Sequence, residues 1–551
     1  MIQRLNTPTA AAFFIVSLAS LAMAQSGPII HDAEYDILFE QHAEDWAEQD
    51  ARVDQRLNEL REANGGKPPN IVYILIDDVS FGQMGIPIMN DVSGIATPRI
   101  NQLAAEGAAL TRMYTEVSCT PTRTALLTGR LPVRAGVTDV KGVIVGEGLS
   151  AEEVTVAEVL KQSGYNTSHV GKWHQGDINE AFPHNQGFDK AFFPVHQQVQ
   201  LSLMTPEGAR SGNLVGWHST GQSQGYVIDA FFKPFGLVTG LEAEAGGNAI
   251  EVGLEPGEEW TQSHYIEMNE RYQRQTLEEL DRLASEEEPF FLQYWPLWPI
   301  NFVQDGEYVS RNGGFQAEKL QVLDGMLGEV FDKVDDLGIG GHTIVILMSD
   351  NGLMYQFEGK SGFSQLIYRG GKTQHLEGGV RVDAYIRWPD VIAPGSRMAD
   401  IVHVSDLFTT FARLGGGKEF IPRDRVIDGI DQTALLLEGD GNGRRDFVYI
   451  YEGPVLRSVV KQEYKLHLPA PGAPAATAGV YNLLRDPREM FPFVENSLWS
   501  SASFQDMVKR HLKRIAEYPH LPLGTDVPYE GIDNLRPESI KARELFFSRN
   551  K

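Results

Sequence analysis

Two apolar runs constrain this chain most: Ile71–Ile76 within "NIVYILIDD" and Thr343–Met348 within "TIVILMSDNG". Both are rich in β-branched residues and lack polar alternation, so a strand formed by either must be covered on both faces. A third run, "PFFLQYW" from Pro289 to Trp295, has the same character. Between them lie helical patterns, "TPRINQLAAEGAAL", "VTVAEVLKQSG" and "EKLQVLDGMLGEVFDKVDDLG". Alternation of buried strands with helices predicts an α/β fold, a large mainly parallel sheet flanked by helices. After about Asp440 the strand-like pieces shorten to "FVYIYEG", "LRSVVKQEYKLHL" and "GVYNLL". They predict a smaller C-terminal α+β domain containing an antiparallel sheet, followed by a polar helix near Pro537 to Phe547. No internal repeat is present at a fixed period.

The first residues combine Arg4, an apolar stretch from about Ala10 to Leu21 and the triplet Ala22-Met23-Ala24, the pattern of a secretory signal cut before Gln25. That stretch is shorter than the roughly 20 residues of a membrane-spanning helix. A periplasmic or secreted protein without stable membrane insertion is therefore expected. Residues 25–68 read as an N-terminal helical arm ending at Gly65-Gly66, residues 69–440 as the main α/β domain and residues 441–551 as a C-terminal subdomain and tail. Cys119 is the only cysteine, so no internal disulfide can form and stability must come from a packed core. Lys and Arg number 48 against 74 Asp and Glu, a formal net charge of -26, which argues against nucleic acid as a partner. An anionic substrate would need a local cluster of positive charge.

In open α/β sheets, ligands gather beyond the carboxyl ends of the strands. Asp77 and Asp78 close one apolar run, and Asp350 and Asn351 close another. Together they offer an all-oxygen site for a hard cation, Ca2+ or Mg2+, which ligand type alone does not separate. Taken singly, each pair reads equally as a turn former or a helix cap. Lys172 and His174 in "GKWHQG" share one side of an extended segment, which suits a cation and a general base aimed at one centre. Lys372 lies in the glycine-bracketed "RGGKTQHLEGGVR". In "SCTPTRTALLTGR", Pro121 suits the first turn of a helix and puts Cys119 at its N-terminus, where the dipole favours a thiolate. Arg123 follows one turn later, and Leu126 and Leu127 would anchor the helix. A small buried core residue is the alternative for the cysteine.

These residues resemble a known family, the type I, formylglycine-dependent sulfatases of the alkaline phosphatase superfamily. "CTPTRTALLTGR" resembles the family signature, with Thr122 where serine is most common. From about Asn70 to Glu489, "NIVYILIDDVSFG", "TPRINQLAAEG", "GKWHQG", "NQGFD", "SDNG", "GGKTQHLEGGVR" and "YNLLRDPRE" have counterparts in the expected order. The resemblance implies an alkaline phosphatase-like fold and a sulfuric ester hydrolase, arylsulfatase-like. It also implies that a formylglycine-generating or sulfatase-maturating enzyme converts Cys119 to formylglycine. In the hydrated aldehyde one hydroxyl attacks sulfur and the other then expels sulfate. Asp77, Asp78, Asp350, Asn351 and the modified Cys119 would hold Ca2+, with Mg2+ possible. Arg123 and Lys172 would hold and activate the diol, His174 would be the base, and Lys372 would bind the sulfate of a small-molecule or carbohydrate sulfate ester.

Two departures from the pattern stand out. Many members carry Pro-His a few residues after the strand resembling "PFFLQY", where the His protonates the leaving oxygen; here the positions are Pro299-Ile300. His375, three residues beyond Lys372, and His196, in the loop after "NQGFD", are candidate substitutes at the substrate. An absent general acid favours aryl or otherwise activated esters, because a phenol leaves with a pKa of about 10. The second departure is Asp383, where the family commonly has proline; it is expected to alter a strand entry only. Competing functions are a phosphonate monoester or phosphodiester hydrolase of the same superfamily, and a non-catalytic protein that binds sulfated polymers.

Overall fold

The computed structural model describes residues 27–142, 144–195, 240–258, 262–297, 314–353, 367–472, 479–492 and 497–549. The proposed signal segment, His196 and Pro299-Ile300 lie outside the described residues. The central sheet comprises β1 (Asn70–Ile76), β2 (Ala108–Leu110), β3 (Asn166–Gly171), β4 (Lys190–Phe193), β5 (Leu241–Glu244), β6 (Ile250–Glu251), β7 (Phe290–Trp295), β8 (Thr343–Ser349), β9 (Ala384–Arg387) and β10 (Ser396–Met398). Their spatial order is β10-β2-β9-β8-β1-β7-β3-β4-β5-β6. The middle, β8-β1-β7-β3-β4, is parallel throughout. Antiparallel pairings extend it at both sides, so the sheet is mixed around a parallel centre.

The two apolar runs are neighbours in this centre, paired from Asn70 with Thr343 to Ile76 with Ser349. Successive strand residues point to opposite faces. Ile71, Tyr73 and Leu75 accordingly pack with Phe408 and Phe411, while Val72, Ile74 and Ile76 pack with Leu320, Leu323 and Leu327. Each face is thus closed by helices, and the register delivers Asp77-Asp78 and Asp350-Asn351 to the same edge. Sequence periodicity assigns "GAAL" to the end of a helix, but the helix stops at Glu106 and Ala108–Leu110 forms β2. A side chain at Gly107 would meet the Ile386 carbonyl oxygen at 2.1 Å, so glycine permits this turn to run against β9.

The expected N-terminal arm is helix α1 (Ala33–Ala63), started by the Asp32 side chain, which accepts from the Glu34 amide. Its buried residues include Leu38, Trp46, Val53 and Leu57. Helix α2 (Cys119–Thr128) begins at extended Ser118 and ends at left-handed Gly129, with every residue buried. Leu126 and Leu127 sit fully in the core, as expected. At the C-terminal side, β11 (Phe447–Glu452), β12 (Val455–Lys461), β13 (Tyr464–His467) and β14 (Gly479–Asn482) form the predicted antiparallel sheet. The tail helix spans Pro537–Arg549. No helix among the described residues is long and apolar enough to cross a membrane.

A buried charge cluster fastens this second sheet to the segment after Lys372. Lys465 Nζ lies 3.0 Å from carboxylate oxygens of both Glu377 and Glu489, and the Glu377 amide donates to Glu489 at 2.8 Å. Burial would raise Glu489, but Lys465 and His467 outweigh it and hold the carboxyl at about 2. The small antiparallel sheet is thereby joined to the segment that follows Lys372.

Candidate active site

The strand-end residues converge with α2 at one buried point. Asp77, Cys119 and Asp350 each offer an atom within 4.8 Å of the others. The turns are joined by backbone and side chain: the Asp350 amide donates to the Ile76 carbonyl at 2.9 Å, and the Asp78 amide donates to Asp350 Oδ1 at 3.0 Å. Asp78 holds φ at 52°, and Asn351 Nδ2 donates to its Oδ1 at 2.6 Å. Thr122 Oγ1 donates to the Asp350 carbonyl at 2.7 Å. The hydroxyl at this signature position thus ties the cysteine helix to the second acidic turn.

The positive cluster demanded by the acidic net charge is present. Arg123 pairs with Asp77 and Asp350 and donates from Nη1 to the Lys172 carbonyl at 3.2 Å. Its guanidinium lies 4.5 Å from the centre of the Trp295 ring. Lys172 Nζ is 2.5 Å from Asp77 Oδ2, and Lys372 Nζ is 2.6 Å from Asp78 Oδ1 and 3.3 Å from Cys119 Sγ. Gly171 holds φ at 104° and would drive a Cβ to 2.0 Å from the Trp295 carbonyl, so Lys172 can enter only beside a glycine.

Packing these charges out of water shifts them strongly. Burial alone would raise Asp77, but Lys172, then Arg123 and Lys372, hold it well below the usual carboxylate range. Burial and the Asp77 charge push Asp350 up to about 8. Lys372 is held well above its ordinary value by Asp78 and Cys119 despite burial. Burial also raises the Cys119 thiol, which corrects the expectation of an activated thiolate: the desolvation of a fully buried sulfur outweighs the nearby lysines.

His174 has φ at 60°, with Nε2 2.9 Å from the Lys141 carbonyl. A carbonyl can only accept, so Nε2 carries the proton and Nδ1 is the bare nitrogen; it is buried without a partner. Burial, with Lys172 and Arg123, keeps the ring neutral by lowering its pKa well below 6.5. His375 is placed differently: its Nδ1 lies 2.7 Å from Glu452 Oε1 of β11, and its ring packs edge-on to His467. These contacts turn it toward the C-terminal sheet.

The donor set fits a divalent cation. Asp78 Oδ2 and Asn351 Oδ1 are buried oxygens without a hydrogen-bond partner, beside Asp77 and an Asp350 held reluctant to ionise. A hard cation would satisfy these two oxygens, with Asp77 and Asp350 as further oxygen donors. Sequence reasoning did not single out Trp295. Its position at the end of the strand beside β1 was the available signal.

A sequence profile of sulfatases matches residues 69–417. Human (Homo sapiens) arylsulfatase A is 35% identical over 396 residues, covering 70% of this chain and 71% of that protein. Rat (Rattus norvegicus) steryl-sulfatase is 32% identical over 455 residues, covering 73% and 76% respectively. The crystal structure of the PsFucS1 sulfatase from Pseudoalteromonas sp. superposes with a TM-score of 0.76 at 26% identity, covering 87% of this chain and 96% of that one.

Proposed function

The chain belongs to the sulfatase family and is a sulfuric ester hydrolase, and from that premise we propose that Cys119, as formylglycine, is its nucleophile. The observation that carries this reading is the convergence of Asp77, Arg123, Lys172, Asp350 and Lys372 around one buried sulfur that burial makes a poor thiolate. Hydrated formylglycine would supply two hydroxyls on one carbon: one attacks sulfur and displaces the alcohol, and the other, on losing its proton, expels sulfate and regenerates the aldehyde. Asp77, Asp78, Asp350, Asn351 and residue 119 would hold a divalent cation, Ca2+ or Mg2+, which would supply positive charge for the sulfate oxygens.

The remaining steps fall to side chains. Lys172 and Arg123, pinned by Asp77, orient the nucleophile and neutralise charge on it. Lys372, next to the nucleophilic position, binds the transferring sulfate and is ready before substrate arrives. His174, neutral with a free Nδ1, accepts the proton of the second hydroxyl as sulfate departs. Because Cys119 is fully buried, its oxidation by a formylglycine-generating or sulfatase-maturating enzyme precedes folding. We assign the catalytic unit to residues 69–440, with 1–24 as the secretory signal of a periplasmic or secreted protein, 25–68 as its arm and 441–551 as its C-terminal subdomain. Mass spectrometry of the peptide containing residues 118–123, from protein active on an aryl sulfate, is expected to show an aldehyde in place of the thiol. An intact thiol in fully active protein would sink this mechanism.

The substrate class proposed is an aryl or otherwise activated sulfate ester. His375, tied to Glu452, and His196 are the candidates to protonate a leaving oxygen. Without a dedicated acid, the rate should fall steeply as leaving-group pKa rises through a series of substituted phenyl sulfates. Equally rapid hydrolysis of an unactivated sugar sulfate would overturn that preference, and a matched phosphate ester hydrolysed better than its sulfate would favour phosphoryl chemistry.

A further inference from the structure

Asp383 does more than open a strand. It is buried, immediately before β9, and joins both turns that carry the candidate metal ligands. Its Oδ2 accepts from the Gly82 amide at 2.8 Å and from the Met84 amide at 3.4 Å. The two amides that flank Gln83 thus converge on one carboxylate oxygen. They belong to the loop that leaves Asp77 and Asp78. On the other side, the Ser349 amide donates to the Asp383 carbonyl at 3.3 Å, one residue before Asp350.

Tyr385 reinforces the grip. Residues two apart in an extended segment share a face. The Tyr385 hydroxyl donates to the Met84 carbonyl at 2.8 Å, and its ring covers Gly85, where an added Cβ would lie 2.2 Å from the ring. Ser349 closes the circuit, its Oγ accepting from the Val79 amide at 2.9 Å. The two acidic turns therefore meet through one residue as well as directly.

We propose that Asp383 is a positioning residue for the divalent cation: its side chain fixes the loop bearing Asp77 and Asp78 relative to the turn bearing Asp350 and Asn351. This rests on the assignment of those four residues as ligands. A buried carboxyl with Oδ1 lacking a partner is a costly way to begin a strand, and the cost is offset if it preorganises the ligands. An Oδ2 acceptor serves in either protonation state, so an amide at this position should keep much of the effect.

The test is Ca2+ titration calorimetry on full-length, chelator-stripped protein, with thermal unfolding measured in chelator and at saturating Ca2+. Asp383→Ala should bind Ca2+ roughly 10- to 100-fold more weakly than wild type, in the range of other outer-shell losses. Asp383→Asn should stay within about threefold, as a variant that restores one acceptor. Tyr385→Phe, the mildest change, should fall between wild type and Asp383→Ala, and decides the matter if Asp383→Ala does not fold. Unchanged Ca2+ affinity in Asp383→Ala, or in Tyr385→Phe should it stand alone, would overturn the proposal even if the melting temperature drops. An Asn variant as weak as Ala would overturn it too. No Ca2+ or Mg2+ binding by wild type would instead refute the ligand assignment itself, and with it this inference.

Discussion

Cys119→Ser should end multiple turnover, lowering steady-state aryl sulfate hydrolysis by at least about 1,000-fold, equivalent to about 4 kcal/mol in the barrier. The reason is chemical rather than structural. Serine has one hydroxyl, so a sulfate transferred to it forms a stable ester with no second hydroxyl on the same carbon to expel it. The side chain is nearly isosteric, and Lys372 Nζ, 3.3 Å from sulfur in the unmodified chain, can still donate to oxygen. Folding should therefore survive, as circular dichroism and Ca2+ binding would show. The diagnostic readout is a release of no more than one equivalent of phenol, with one sulfate retained on the peptide containing residue 119. Sustained turnover by this variant would remove the need for two hydroxyls and overturn the proposed role of Cys119.

Much of this site is legible in the sequence because its parts lie at the ends of strongly patterned elements. Asp77-Asp78 and Asp350-Asn351 follow the two apolar runs, and the parallel pairing of those runs brings the acidic ends together. The helix that presents Cys119 was equally legible from Pro121 and the Leu126-Leu127 pair. The electrostatics of the thiol were not. A helix N-terminus predicts stabilised negative charge, but complete burial, which depends on packing from distant parts of the chain, reverses the net direction. Arg123, one turn beyond Cys119, forms its ion pairs with Asp77 and Asp350, partners that the local sequence does not point to. Asp383 is least legible of all, since its partners Gly82 and Met84 precede it by 301 and 299 positions. A single sequence offers no local signal for such a contact. The short outer strands were missed for a similar reason: Ala108–Leu110 is a strand because β9 and β10 receive it.

Arg123→Ala should have the largest effect on stability of any single change in the site, and the divalent cation should recover part of it. The guanidinium is fully buried between Asp77 and Asp350 and against Trp295. Removing it takes the ion pair from Asp350 and leaves Asp77 to Lys172, and breaking a buried pair of this kind costs about 3–5 kcal/mol. Urea unfolding in chelator should reveal that full loss. Saturating Ca2+ should restore a portion, because a cation bound by the same carboxylates replaces missing positive charge. The pH dependence has a definite sign. In wild type, Lys172 and Arg123 hold Asp77 far down; without Arg123, burial gains ground and the folded-state pKa moves up. The extra cost of the variant is therefore present where Asp77 must be ionised and shrinks as falling pH protonates it. Arg123→Lys keeps a charge but cannot reach both carboxylates, as Nη2 does, and at the same time the Lys172 carbonyl, as Nη1 does, so it should be intermediate in stability. Activity is a separate matter: both variants should remain severely impaired at saturating Ca2+, because the cation replaces charge in the carboxylate cluster without replacing the donors that orient the nucleophile. Wild-type stability of Arg123→Ala in chelator would contradict the buried pairing, whereas a destabilised variant with wild-type turnover would separate the fold's need for Arg123 from its proposed catalytic role.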